Sequence, residues 1–156
     1  MTRLGADAAL PRHRLAISGR LLRSGGIVAY PTEAVYGLGC DPARSEAVQR
    51  LLALKHRPAA KGLILIAASL DQLRPWLGRL DPALMERPLA SWPGPSTWLL
   101  PAAASAPSWV IGVHRKIAVR VTAHPLAAAL CRTFGGPLVS TSANPAGFPP
   151  ARSTLR

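Results

Sequence analysis

The spacing of apolar and polar positions along the chain changes several times between two patterns. Spacings of three and four residues predict helices, whereas short, wholly apolar runs predict strands covered on both faces. The predicted helices are residues 11–26, 45–55, 69–77, 81–92 and 124–135, and the predicted strands are residues 26–32, 62–68, 96–102, 116–121 and 136–141. Because the two kinds of element alternate, the sequence predicts the α/β class with a mixed sheet.

Local signals mark the ends of these elements. Gly25 and Gly26 are expected to end the first helix, and Ser45 to cap the start of the second. Residues 100–109, rich in Ala and Pro, are predicted to be the most mobile loop. Residues 153–156 read as the start of a helix that is cut short, so fraying is expected there.

Composition and charge narrow the class of ligand. The chain has 156 residues, enough for one domain, and a net charge of +12, which favours a polyanionic ligand or nucleic acid. The alternative explanation of the high positive charge is a GC-rich coding bias towards Ala, Pro and Arg. After Glu86 there is no acidic residue, so any Mg²⁺ is expected to arrive mainly on phosphates. The chain shows no secretory signal and no apolar run that could span a bilayer, so a cytoplasmic location is expected.

The two cysteines, Cys40 and Cys131, lie far apart in the sequence and outside any CxxC motif. This spacing argues against a zinc site and against a disulfide framework. We therefore expect two small, buried thiols.

A basic loop follows the second helix. Lys55, His56, Arg57 and Lys61 stand close together without an acidic neighbour. Cations are favourable at a helix C-terminus, which accounts for Lys55 alone. The others are either solvated or await an anion such as a phosphate chain. For His56, a solvated loop residue is the more common case than a proton shuttle.

Polar residues follow the last strand. Ser140, Thr141, Ser142 and Asn144 are predicted to lie immediately after it. Ligands of open α/β sheets bind beyond the carboxyl ends of strands, so this cluster is a candidate site for a small polar ligand or ribose. A hydrogen-bonded turn is the alternative.

Two further segments carry candidate chemistry. Thr32 and Glu33 stand at the end of the first strand, and Gly37 and Gly39 allow close approach of the backbone. Neither a GxGxxG nor a Walker motif is present, which excludes standard dinucleotide and P-loop sites. Arg120 lies within an apolar strand, so it must point outwards or meet an anion.

Five segments, taken in this order, resemble the YrdC-like family of threonylcarbamoyl-AMP synthases, in its short bacterial form. They are YPTEAVYGLGCDP, LKHRPAAKGLILIA, WPGPSTWLL, IAVRVTAHP and PLVSTSANPAG. The resemblance implies one domain over residues 1–156, with an open, twisted sheet flanked by helices around a concave basic cleft. Members of this type usually continue further, so we expect this domain to be truncated at its C-terminus.

The resemblance also implies an activity. Family members form threonylcarbamoyl-AMP and pyrophosphate from L-threonine, bicarbonate or CO₂, and ATP. The product is used by tRNA threonylcarbamoyl transferase proteins to modify adenosine 37 of ANN-decoding tRNAs. The attacking carbamate and ATP are both anionic, so a cleft rich in cations and free of carboxylates is expected to lower their repulsion.

The site residues implied by the resemblance fall into two groups. The ATP site comprises Lys55, Arg57, Lys61, Ser142 and Asn144, with Lys55 and Arg57 stabilising charge; the L-threonine site comprises Thr32, Arg120 and Ser140. No general base, nucleophile or metal-binding residue is assigned.

Two alternatives stay open at this stage. The charge of +12 also suits a tRNA- or double-stranded-RNA-binding protein without efficient turnover, although only two Tyr and two Phe are present for base stacking. The second alternative is a regulatory module that binds nucleotide alone. Competition between ATP and RNA, and an effect of threonine on ATP affinity, distinguish the three interpretations.

Overall fold

A six-stranded mixed sheet organises the chain. The computed structural model describes residues 12–145 and 147–153. The strands are β1 Val28–Pro31, β2 Tyr36–Gly39, β3 Ile64–Ala67, β4 Trp98–Pro101, β5 Lys116–Val121 and β6 Leu138–Ser142, in the spatial order β1-β2-β6-β3-β5-β4. Only β3 and β5 are parallel neighbours, whereas the other pairs are antiparallel. The predicted α/β class with an open mixed sheet is confirmed.

Six helices flank this sheet within the described residues. They are α1 Arg12–Arg23, α2 Ser45–Lys55, α3 Leu70–Leu73, α4 Pro82–Ser91, α5 Ser108–Ile111 and α6 Pro125–Phe134. The segment 69–77 forms α3 and a 3₁₀ turn, whereas α5 lies partly in the segment predicted to be a mobile loop. Pro11 and most of the C-terminal helix predicted from residue 153 fall outside the described residues. None of the described helices is long and apolar enough to cross a membrane.

The strand β2 was missed because it has only four residues, two of them glycine. It forms a hairpin with β1 and also pairs with β6. A Cβ atom on Gly39 would lie 2.6 Å from the Val139 carbonyl oxygen and 2.7 Å from the Tyr30 ring. The close approach predicted for this glycine is therefore real, and it lets the hairpin join the main sheet.

The two ends of α2 differ from each other in how they bear on the prediction: its predicted N-cap is wrong, and the turn at its C-terminal end positions a site residue. Ser45 is the first helical residue, and the N-cap is Arg44, whose side chain makes no capping hydrogen bond. The Ser45 hydroxyl instead accepts a hydrogen bond from Gln49 Nε2 at 3.1 Å. At the other end His56 adopts the left-handed conformation, with φ 49°, and turns the chain away from the helix axis towards Arg57.

One face of the sheet carries the larger part of the core. Leu65, Val119 and Val139 pack there against Val48 and Leu51 of α2, in the larger hydrophobic cluster. Alternate residues of β3 and β6 point to the opposite face. There Tyr30, Ile66 and Leu138 pack against Leu22 of α1 and Leu130 of α6, in the smaller hydrophobic cluster.

Within the described residues, α1 and α6 cover only part of this second face. The register places Ile64 opposite both Ala118 and Ser140, and Leu99 opposite Ala118. These residues and Arg120 form a region that we call the open face; Leu99 is 62% exposed in it.

Both cysteines are free and buried, as predicted. Cys40 belongs to the larger hydrophobic cluster and Cys131 to the smaller one, so the sheet separates them. Burial raises the pKa of each thiol to about 12.

Candidate active site

A cavity of about 300 Å³ lies on the open face and brings together side chains that are distant in sequence. Thr32 comes from the β1–β2 turn, Arg57 from the basic loop, Arg120 from β5, and Ser140 and Ser142 from β6. Five of the predicted site residues therefore line one cavity. The remaining three, Lys55, Lys61 and Asn144, do not line it.

The serines reach the cavity in a different way from the one predicted. Ser140 and Thr141 belong to β6, within the strand predicted for residues 136–141, and Ser142 is its last residue rather than part of a following turn. Ser140 and Ser142 are alternate residues of this strand, so they share the face that carries the cavity. The site therefore lies across a sheet face and not beyond the carboxyl ends of the strands.

Arg57 separates this cavity from a larger neighbour. Its Nη2 group donates to the Gly62 carbonyl at 3.0 Å, while its Nε group is buried and has no hydrogen-bond partner among the described residues. The residue nevertheless lines both cavities with its guanidinium group. Arg57 is thus placed to bind an anion in either cavity.

The larger cavity, of about 680 Å³, combines cationic and apolar walls. Lys61, Arg115 and Lys116 contribute positive charge, and Leu99 and Val113 contribute apolar surface. The two cavities share Arg57, Leu63 and Ile64, so they adjoin, and we call the pair the cleft. The contribution of Arg115 and Lys116 was missed, although the excess of cations in the second half of the sequence was a signal for it.

Lys55 lies behind the cleft and is only 6% exposed. Its ammonium group donates to the Ser142 carbonyl, to the Asn144 carbonyl at 2.7 Å and to Asn144 Oδ1 at 3.1 Å. A lysine has three N–H donors, so all three are taken by this one segment. Burial, with a smaller effect of the nearby Arg57 charge, lowers the pKa of Lys55.

Arg120 is held from two sides. Its Nε and Nη2 groups donate to Thr97 Oγ1 at 2.9 and 2.8 Å, and its Nη1 group lies 3.6 Å from Glu33 Oε2. Of the two alternatives predicted for this arginine, contact with an anion applies, and the anion is the carboxylate of Glu33. No carboxylate of the described residues lines either cavity, although Glu33 adjoins the cleft through its contact with Arg120.

Glu33 is itself fixed by hydrogen bonds. Its Oε1 atom accepts from Thr122 Oγ1 at 2.7 Å and from the Ala123 amide at 2.8 Å. Burial by itself would raise the pKa of Glu33, but these hydrogen bonds and the Arg120 charge hold it below its usual range. Sequence reasoning missed Glu33 and Thr97 as contacts of Arg120, although both stand within the resembling segments.

The donor set of the cleft suits an anionic ligand with hydroxyl or amino groups. Two guanidinium groups, from Arg57 and Arg120, face a cavity that also contains the hydroxyl groups of Thr32, Ser140 and Ser142. In the part of the chain that the structure describes, no three His, Cys, Asp or Glu side chains lie together as metal ligands. The fold and this cleft define an α/β domain with a cationic binding site on an open sheet face.

Residues 20–155 match the model of the Sua5/YciO/YrdC family, described as telomere recombination, and the chain belongs to this family. A threonylcarbamoyl-AMP synthase from Alkalilimnicola ehrlichii is 62% identical over 146 residues, which cover 94% of this chain and 76% of the relative. A protein of the same name from Cellvibrio japonicus is 55% identical over 90% of this chain and 74% of its own length.

Solved structures agree with the family assignment. P. abyssi Sua5 complexed with L-threonine superposes with a TM-score of 0.86 at 34% identity, over 92% of this chain. This chain spans only 42% of that longer protein. E. coli YciO superposes with a TM-score of 0.79 at 26% identity, over 88% of this chain and 67% of its own.

Proposed function

We propose that this chain is a nucleotidyltransferase that forms threonylcarbamoyl-AMP. Its substrates are L-threonine, bicarbonate or CO₂, and ATP, and its products are threonylcarbamoyl-AMP, pyrophosphate and water. The observation that carries the proposal is the single cavity in which Thr32, Arg57, Arg120 and Ser140 converge. The names of the relatives from A. ehrlichii and C. japonicus and the L-threonine complex of P. abyssi Sua5 support it.

The smaller cavity holds L-threonine. Arg120 pairs with its carboxylate, since a guanidinium group binds carboxylates through a fork of N–H donors. Thr32 Oγ1 donates to the Val35 carbonyl at 2.6 Å and accepts from the Val35 amide at 3.4 Å, so one lone pair is left for the ammonium group of the substrate. Ser140 provides a second hydroxyl group beside it.

ATP occupies the larger cavity, with its phosphates towards the smaller one. Arg57 adjoins both cavities and supplies its guanidinium charge at their junction, while Lys61 adds positive charge. Ser142 lines the smaller cavity, on the side that the phosphates approach, and Asn144 follows it in the chain without lining either cavity. Lys55 keeps these two residues in place through its three hydrogen bonds, in addition to contributing its charge.

The reaction joins two anions. The threonine amine first becomes a carbamate, whose oxygen attacks the α-phosphorus of ATP while pyrophosphate leaves. Arg57 and Arg120 offset the repulsion between carbamate and triphosphate and stabilise the charge that develops at phosphorus. Holding both substrates in adjoining cavities supplies further rate enhancement, so no protein nucleophile takes part.

Mg²⁺ enters as part of the ATP complex. The carboxylate next to the cleft, Glu33, is already engaged by Thr122, Ala123 and Arg120, so this chain offers the cation few ligands. Mg²⁺ bound to the phosphates would reduce their charge and orient the leaving pyrophosphate. The product then passes to the transferase proteins that modify tRNA.

The test is pyrophosphate release by the purified chain with ATP, Mg²⁺ and bicarbonate, with and without L-threonine. We expect threonine-dependent release, and we expect Arg57→Ala to lower it at least roughly tenfold, as for other groups that stabilise developing charge. Arg87→Ala, on the exposed surface of α4, is the matched control. Release that does not depend on threonine would contradict the proposal. The RNA-binding alternative gains no support from the relatives, which carry the name of a synthase.

A further inference from the structure

One carboxylate connects two distant parts of the cleft. Glu33 lies in the β1–β2 turn, immediately after Thr32, and its Oε1 atom accepts hydrogen bonds from Thr122 and Ala123, about 90 positions later in the chain. These two residues follow β5 directly and precede α6. The positive end of the α6 dipole favours an anion at this place. The turn that carries Thr32 is thereby attached to the strand that carries Arg120.

The second oxygen of Glu33 is left for Arg120. Oε2 is buried, accepts no hydrogen bond from the described residues and lies 3.6 Å from Arg120 Nη1. On the other side, Thr97 Oγ1 accepts hydrogen bonds from Nε and Nη2 of Arg120. The guanidinium group is therefore fixed between two acceptors, with remaining donors on Nη1 and Nη2 for a ligand in the cavity.

We propose that Glu33 is a positioning residue that holds the Arg120 guanidinium in the orientation required to bind the carboxylate of an α-amino acid. The inference rests on the proposed function, because it assumes that Arg120 binds the threonine carboxylate. Glu33 does not touch the substrate, since it does not line the cavity and its Oε2 atom is buried. It acts through Arg120, by reducing the freedom that this long side chain loses when the ligand binds.

The expected size of the effect follows from that lost freedom. Immobilising one rotamer-rich side chain on binding corresponds to roughly a two- to tenfold change in affinity. Glu33→Gln removes the charge that faces Arg120 but keeps an oxygen that can accept from Thr122 and Ala123. We expect this variant to bind L-threonine roughly five- to tenfold more weakly. ATP affinity should stay within about twofold, because the contacts of Glu33 do not include Arg57.

A purely structural role for Glu33 would give a different result, and a double-mutant cycle separates the two. Calorimetry on the full chain would give the Kd of L-threonine for wild type, Glu33→Gln, Arg120→Lys and the double variant, with ATP as the second ligand. If Glu33 acts through the Arg120 fork, Glu33→Gln should weaken threonine binding less than about twofold further in the Arg120→Lys background. Thermal unfolding of each variant checks that it is folded.

Each outcome separates the inference from the proposed function. An unchanged threonine Kd in Glu33→Gln, equal losses for threonine and ATP, or the same loss in the Arg120→Lys background would each overturn the positioning role. These results would leave the synthase proposal standing. A wild-type chain that binds no L-threonine would overturn the proposed function, and this inference with it.

Discussion

The buried ammonium group of Lys55 provides the most direct test of how the cleft is built. Lys55 could act as an exposed phosphate ligand, or as an internal tie for the segment that carries Ser142 and Asn144. The structure places it 6% exposed, with its three donors directed at that segment. We therefore expect Lys55→Met to destabilise the fold even when no ligand is present.

The magnitude follows from the hydrogen bonds. Each bond from a charged donor contributes roughly 1.5–3 kcal/mol, but contributions to one group are not additive. Ser142 and Asn144 are half-buried, so water replaces part of the lost interaction in the variant. Methionine has a similar length, fills the same path and avoids the desolvation of a charge. We expect a net loss of about 3 kcal/mol in the free energy of unfolding.

The assay is urea denaturation followed by circular dichroism, with Lys61→Met as the matched control. Lys61 is exposed at the cleft, and its removal should change the free energy of unfolding by less than about 0.5 kcal/mol. A loss of about 3 kcal/mol corresponds to a decrease of roughly 6–12 °C in Tm for a chain of this size. If Lys55→Met were as stable as Lys61→Met, the reasoning from these hydrogen bonds would be refuted.

Three further predictions concern the core, the thiols and pH. Gly39→Ala should lower the free energy of unfolding by about 1–3 kcal/mol in urea titrations, because its Cβ would lie 2.6 Å from the Val139 carbonyl oxygen. The control Gly136→Ala, with its nearest contact at 3.7 Å, should change the free energy of unfolding by less than about 0.5 kcal/mol. Equal losses in the two variants would contradict the packing argument. Cys40 and Cys131, with pKa values raised to about 12 by burial, should resist a thiol reagent in the native protein near neutral pH and react fully in denaturant, and rapid native labelling of either would be inconsistent with burial. The pKa of Glu33 is lowered from 4.5 in the folded state, so the stabilising effect of its charge is complete above pH 4.5 and is lost as the pH falls through the folded pKa. The difference in the free energy of unfolding between wild type and Glu33→Gln should therefore shrink in acid. A difference that does not depend on pH would argue against the ion pair.

The site shows where reasoning from sequence reached its limit. The motifs placed Thr32, Arg57, Arg120, Ser140 and Ser142 in one cleft, which the structure confirms as neighbours around a cavity. The same motifs did not predict that the donors of Lys55 point inwards. The direction of a long side chain depends on which acceptors the tertiary fold brings within its reach, and here those acceptors lie almost 90 positions away.

Contacts between distant residues were missed for the same reason. The carboxylate of Glu33 and the guanidinium of Arg120 are 3.6 Å apart only because the β1–β2 turn reaches the end of β5. The sequence carries each group, but nothing local connects them.

The sequence by itself determined the elements that depend on short-range order. The apolar spacing of residues 45–55 fixes α2, and the continuous apolar run at residues 62–68 fixes β3, because helix periodicity and strand burial are properties of neighbouring residues. Only the tertiary structure decided on β2, whose four residues form a strand through pairing with β1 and β6. Among residues 12–145 and 147–153, it also left part of one sheet face open beside α1 and α6, since coverage depends on where helices pack and not on their own sequences. The motif residues can form a binding cleft because this face is open.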